Sequence, residues 1–192
     1  MAYIELGNES PGVGGLMEYR PETGRTLSRL AETLLRDEET ISHPDNTLTR
    51  GERELIATYV SSLNACKFCS TSHAAFAAAQ LPGGAQTVAD TCGDLGSAPV
   101  SDKLKALLRI AGAVQQGGKA VTAEDVAAAR ATGATDLEIH DTVLIAAAFC
   151  MYNRYVDGLG TWAPDDPAGY EQAAQRIVAE GYMSRYAETA GA

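Results

Sequence analysis

Residues 49–80, TRGERELIATYVSSLNACKFCSTSHAAFAAAQ, constrain the fold of this chain more than any other stretch. Thr49-x-x-Glu52 has the form of a helix capping box, and Leu55, Ile56, Tyr59, Val60 and Leu63 follow it at helical spacing. That helix is expected to end near Asn64. A second, Ala-rich helix is expected from about Ala65 to Gln80, where LPGG stops it, so that the two form an αα-hairpin. Cys66 and Cys69 lie one turn apart at the start of the second helix, and His73 falls four positions beyond Cys69. Side chains three and four apart share a helix face, so two thiols and a base occupy one patch.

The hairpin adds a carboxylate to this patch. Glu54 precedes Asn64 by ten residues and His73 follows it by nine, which places both about 13 Å from the turn and level with each other. A glutamate so placed orients and polarises the imidazole, and the imidazole can exchange protons with a cysteine sulfur. An ordinary thiol titrates at about 8.5 and is mostly protonated at neutral pH, so a nucleophilic cysteine needs help from its surroundings. The free N–H groups at the helix start favour Cys66 as the more acidic sulfur, while His73 can serve either thiol. Zinc fits poorly, because the patch offers three ligands on one helix and a closed site needs a fourth.

The rest of the sequence is consistent with helices throughout. Of the 192 residues 45% are hydrophobic, many of them alanine, and only 6% are aromatic; small residues at helical spacing suit close-packed helices and an all-α domain spanning 1–192. The net charge of -10 argues against nucleic acid, which is bound through clustered Lys and Arg. The N-terminal MAYIELGNESPGVGG lacks the form of an export or lipidation signal, and no segment is long and apolar enough to span a bilayer. A cytoplasmic location is therefore expected, where a C-x-x-C pair signifies redox chemistry or metal binding.

Residues 1–24, rich in Gly and Pro, read as an extended arm anchored by Leu16, Met17 and Tyr19. A helix is expected from Thr26 to Arg36, broken by SHPDN, and 84–100 as a connection with a short helix at 85–89. Helices then follow from Ser101, from Thr122-x-x-Asp125 and from Thr135-x-x-Glu138 through Tyr155, with a last amphipathic helix over 170–188 presenting Ala174, Ile177, Val178 and Met183. Cys150 in VLIAAAFCMY reads as a small buried hydrophobe and Cys92 as a passive thiol. His43 and Arg53 read as solvated, His140 as structural or exposed, and Glu52 as the cap carboxylate.

The set Glu54, Cys66-x-x-Cys69 and His73 resembles the AhpD-like alkyl hydroperoxidase branch of the carboxymuconolactone decarboxylase family. YRPETG, LLR, GERELIATYVSSLN, SDKLKALLRIA and MYNRYVDGLG look like its peroxidase-related subgroup and extend the resemblance over nearly the whole chain. It implies a compact helical bundle and an antioxidant peroxidase that reduces hydrogen or organic hydroperoxides without a bound cofactor. Cys69 is then the peroxidatic thiol, Cys66 the proton donor and resolving thiol, and Glu54 with His73 the proton relay. This choice of nucleophile differs from the helix-end argument. The resemblance also implies a homo-oligomer (dimer, trimer or hexamer). The expected partner is a dithiol reductant, lipoyl-bearing or thioredoxin-like, or else a peroxiredoxin.

The AhpD pattern carries a second histidine immediately before the peroxidatic cysteine, where this chain has Phe68. Phe68 either packs in the core or walls off water and receives an apolar substrate. Arg154 is expected to pair with a buried carboxylate such as Glu54 or to hold an interface. Two other readings of the thiol pair stay open: a general thiol-disulfide oxidoreductase, and a non-catalytic redox-sensing helical protein.

Overall fold

The computed structural model describes residues 2–186, and among these the secondary structure is entirely helical. In chain order the helices are α1 (Gly12–Tyr19), α2 (Pro21–Leu35), α3 (Glu38–Ile41), α4 (Arg50–Leu63), α5 (Lys67–Ala78), α6 (Gly84–Gly93), α7 (Asp102–Gln116), α8 (Ala123–Ala131), α9 (Asp136–Gly158) and α10 (Pro167–Glu180). Short 3-10 turns occupy Gly118–Ala120 and Ser184–Tyr186. No helix among the described residues is long and apolar enough to cross a membrane.

Local chemistry accounts for most helix starts. Complete capping boxes open α4 (Thr49 with Glu52), α8 (Thr122 with Asp125) and α9 (Thr135 with Glu138), and the Ser101 side chain caps α7. The core lies where α4, α7 and α9 meet: Leu55, Ile56 and Val60 pack with Leu104, Leu107, Leu108, Ile110, Ile145 and Phe149, all buried. α5 lies against α4, and α10 against the outer side of α5. Both flanks of the α4–α5 hairpin are thereby covered.

The turn between α4 and α5 is tightly specified. The Cys66 N–H donates to the Ser61 carbonyl at 3.1 Å and the Ala65 N–H to the Ser62 carbonyl at 2.9 Å, the bond pattern of a Schellman C-cap. Ala65 holds the left-handed position, with φ 55°, where glycine is usual and an alanine costs roughly 1 kcal/mol. The next residue, Cys66, is the N-cap of α5 and Cys69 lies in its first turn.

Four expectations need correction. The arm over 1–24 extends only to Pro11, since Gly12–Tyr19 and Pro21–Leu35 are helical. Its glycines serve close packing: a Cβ on Gly12 would lie 2.2 Å from the Phe68 ring, and one on Gly24 2.6 Å from the Met17 carbonyl oxygen. The last helix begins at Pro167 and stops at Glu180, because Gly181 takes φ 83°; Met183 lies in the following turn, and residues 187–188 of the expected helix fall outside the described residues. The connection over 84–100 contains a full helix, α6, and SHPDN is preceded by the short α3. Arg53 is buried completely, paired with Asp141 at 2.6 Å and donating to the Leu34 carbonyl at 2.9 Å. His140 and His43 are exposed, as expected.

Two buried ion pairs generate stability predictions. Asp141→Asn leaves the Arg53 guanidinium buried without its counter-charge and should cost about 3 kcal/mol in urea unfolding. Glu138 is fully buried; burial pushes its carboxyl up, but the Lys103 ammonium at 2.8 Å and N–H donors of Thr135 and Thr47 outweigh this and hold it down at about 2. The unfolded carboxyl titrates at about 4.3, so its stabilisation is complete above that pH and drains away as pH falls toward 2. Glu138→Gln should flatten this acid limb in a series of unfolding curves across that range.

Candidate active site

Glu52 and Glu54 lie two positions apart in α4 and do different work. Glu52 faces the helix start, where its Oε2 accepts from the Thr49 N–H at 2.8 Å. Glu54 points inward and is 2% exposed, so its charge needs partners within the protein. One is His73: Nδ1 lies 2.6 Å from Oε2 of Glu54, and the hairpin brings the two side chains level. The other is Tyr182, whose hydroxyl donates to Oε1 at 2.5 Å. Tyr182 is not among the residues that the sequence points to. Its distance of 128 residues from Glu54 leaves no spacing signal; only the helix stop at Gly181 marks where this tyrosine leaves the helix.

The imidazole is held by rings as well as by the carboxylate. Its centroid lies 4.5 Å from Phe149 and 5.1 Å from Phe76, both edge-on, and 6.2 Å from Tyr182, stacked. A carboxylate can only accept, so in the neutral imidazole Nδ1 carries the hydrogen and Nε2 the lone pair. His73 is thereby set up as a base.

Both cysteines are free thiols, packed with Val156, Val13 and Phe68. They are not equivalent. The hydrogen bond it shares with Cys69 pushes the Cys66 thiol up, with burial and the neighbouring Asp157 in the same direction. Cys69 accepts that hydrogen bond, which lowers its thiol; burial and Asp157 oppose, while His73 and the Asn153 amide add to the lowering, and the net displacement is downward. The acidified sulfur is thus Cys69, contrary to the helix-end expectation for Cys66. Asn153 is itself buried and fixed, donating to Ser61 Oγ at 3.0 Å and accepting from Asn64 at 2.8 Å.

A pocket of about 850 Å³ opens onto this centre between α1, α5, α9 and α10. Cys69, His73, Phe76, Phe149 and Tyr182 line it, as does Phe68, while Cys66 does not. Phe68 is half-buried: its ring packs on Gly12 and lines the pocket together with Cys69. Lys67 is paired with Asp165, tying the start of α5 to the segment before α10. Among the described residues, no three His, Cys, Asp or Glu side chains are grouped so that they could hold a metal ion.

Other candidates lie apart from this centre. Arg154 is exposed and donates to the Cys150 carbonyl of its own helix at 2.9 Å, so the expected pairing with Glu54 is replaced by those to His73 and Tyr182. Cys150 is buried near the Asn64 amide. The Cys92 thiol is raised by burial, only partly offset by a hydrogen bond from Ser62.

The model of the carboxymuconolactone decarboxylase family matches residues 21–81. No curated protein matches the chain. Among solved structures, an alkylhydroperoxidase AhpD core, described as an uncharacterized peroxidase-related protein from Ralstonia eutropha JMP134, is similar with a TM-score of 0.70 at 24% identity. The match covers 86% of this chain and 81% of that one. An uncharacterized peroxidase-related protein from Silicibacter sp. TM1040 is similar with a TM-score of 0.71 at 24% identity, over 84% of this chain and 78% of that one. At this identity the likeness bears on fold. The chain therefore has the AhpD-like helical fold and matches the carboxymuconolactone decarboxylase family through the segment that carries Glu54, both site cysteines and His73.

Proposed function

We propose that the protein is a thiol peroxidase that reduces hydrogen or organic hydroperoxides through a Cys66–Cys69 dithiol cycle. The observation that carries this reading is the asymmetry of the two sulfurs: Cys69 lines the pocket and is acidified, whereas Cys66 is fully buried, off the pocket and raised. A nucleophile needs access and thiolate character, and Cys69 has both.

The cycle begins when His73 takes the Cys69 proton and Glu54 steadies the resulting imidazolium. The Cys69 thiolate attacks a peroxide oxygen; an S–O bond forms, the O–O bond breaks, and the departing alkoxide or hydroxide takes the proton of Cys66. Cys69 is now a sulfenic acid. The Cys66 thiolate attacks that sulfur, forming the disulfide and expelling hydroxide, which takes the proton back from His73 and leaves as water. The peroxide has gained two electrons and the thiol pair has lost them.

A dithiol reductant closes the cycle by exchange. Cys66 and Cys69 are 0% and 3% exposed, which favours a slender lipoyl arm entering the pocket over the broad face of a thioredoxin-like protein or a peroxiredoxin. The same burial disfavours a general oxidoreductase acting on folded disulfide proteins.

Cys69→Ser should bring peroxide consumption with a dithiol reductant down to the uncatalysed background; retention of full activity would sink the mechanism. Cys66→Ala should consume about one equivalent of peroxide and stop with Cys69 as a dimedone-reactive sulfenic acid. The same variant removes the thiol donor at Cys69, so the pH midpoint of Cys69 alkylation by iodoacetamide should move upward.

A further inference from the structure

We propose that Tyr182 is a positioning residue of this thiol centre: its phenol occupies Oε1 of Glu54, so that Oε2 stays turned toward the His73 imidazole. The inference rests on the peroxidase reading for its consequence in turnover, but not for its effect on the thiols.

Geometry carries it. The carboxylate of Glu54 is buried and each oxygen has its own side-chain partner, Tyr182 on Oε1 at 2.5 Å and His73 on Oε2 at 2.6 Å. A carboxylate held at one oxygen only can turn about its last bond; held at both, it fixes the imidazole in plane and in tautomer. Tyr182 also stacks on the imidazole ring, at 17° between planes. Burial first, and then the negative charge of Glu54, push its phenol well above the ordinary range, so it remains a donor throughout the working pH range.

The chain goes to some length to place this hydroxyl. Glu32 of α2 accepts from the Tyr182 N–H at 2.6 Å through Oε2, and its Oε1 accepts from Arg36 at 3.0 Å. Arg36 in turn donates to the Ala179 carbonyl at 3.0 Å, so α2 grips the end of α10 on both sides of Gly181. Gly181 has φ 83°, and a Cβ there would lie 2.5 Å from Oε2 of Glu32. Only glycine lets the backbone turn there against the carboxylate and deliver the next side chain into the pocket.

The groups that bear on the readout are few. Tyr182 faces Glu54, Glu32 and Tyr152; Cys69 faces Cys66, His73, Asn153, Asp157 and Tyr170. A double-mutant cycle isolates the Tyr182–Glu54 coupling from the other groups.

The test uses the full-length reduced protein and its Tyr182→Phe, Glu54→Gln and doubly substituted variants, with thiolate absorbance at 240 nm followed against pH. Tyr182→Phe should raise the Cys69 midpoint by about 0.5 unit, equivalent to about a threefold smaller acid dissociation constant. In the Glu54→Gln background the same change should leave the midpoint within about 0.1 unit, because the phenol acts through that carboxylate. Thermal melting checks that Tyr182→Phe is folded. An unmoved midpoint, or an equal shift in both backgrounds, would overturn the assignment. Since no peroxide enters the titration, a coupled shift in a protein that fails to consume peroxide refutes the peroxidase function and leaves the positioning role standing.

Discussion

The buried carboxylate of Glu54 is the constraint on which the rest of the site depends. An unpaired charge inside a helical bundle costs several kcal/mol, so Glu54 can occupy its place only if the fold brings donors to both of its oxygens. His73 comes from the other arm of the hairpin and Tyr182 from the segment beyond α10. Satisfying one carboxylate thus requires the α4–α5 turn, the packing of α10 on α5, and the grip of Glu32 and Arg36 on the end of α10. What looks like catalytic geometry is also the condition for burying the charge.

The order of acidity in the thiol pair shows why a local rule loses. A helix start favours negative charge by about 0.3–1 kcal/mol, and Cys66 is the N-cap of α5. Yet the Cys66 thiol serves as a donor to Cys69, and a group that donates its proton is kept protonated by that bond. Cys69 accumulates the opposite set: a thiol donor, an imidazole and an amide, the last delivered by packing from α9. Specific hydrogen bonds in a site with little water outweigh the diffuse field of the helix.

Arg53 and Glu54 show how one of two adjacent charges can escape a sequence reading. Both sit on a helix whose acidic and basic residues resemble a solvated face, and Arg53 was expected in water. Side chains one position apart on a helix diverge by about 100°, so the two enter different parts of the interior. Arg53 meets Asp141 on α9 and the carbonyl of Leu34, while Glu54 meets His73 and Tyr182. The first pair anchors α4 to the bundle; the second organises the site. Nothing in the local pattern marks Arg53 as buried, because its partner lies 88 residues away, whereas the Glu54–His73 pair, 19 residues apart, follows from the hairpin register.

The sequence by itself determined the elements whose signals are local. Capping boxes marked the starts of α4, α8 and α9, apolar spacing marked the core face of α4, and the C-x-x-C-x-x-x-H run put two sulfurs and an imidazole on one helix. Counting residues from Asn64 even set Glu54 level with His73, since a hairpin of two regular helices has a calculable register. Glycines were ambiguous. The same Gly-rich run that suggested an extended arm forms α1 because Gly12 lets that helix approach Phe68. Only tertiary structure decided which thiol is acidified, which of them meets the pocket, and that Tyr182 completes the carboxylate. The last two depend on side chains brought together from distant parts of the chain, and the first on Asn153 as well as on the neighbouring Cys66 and His73; contacts between distant residues leave no periodicity in the sequence.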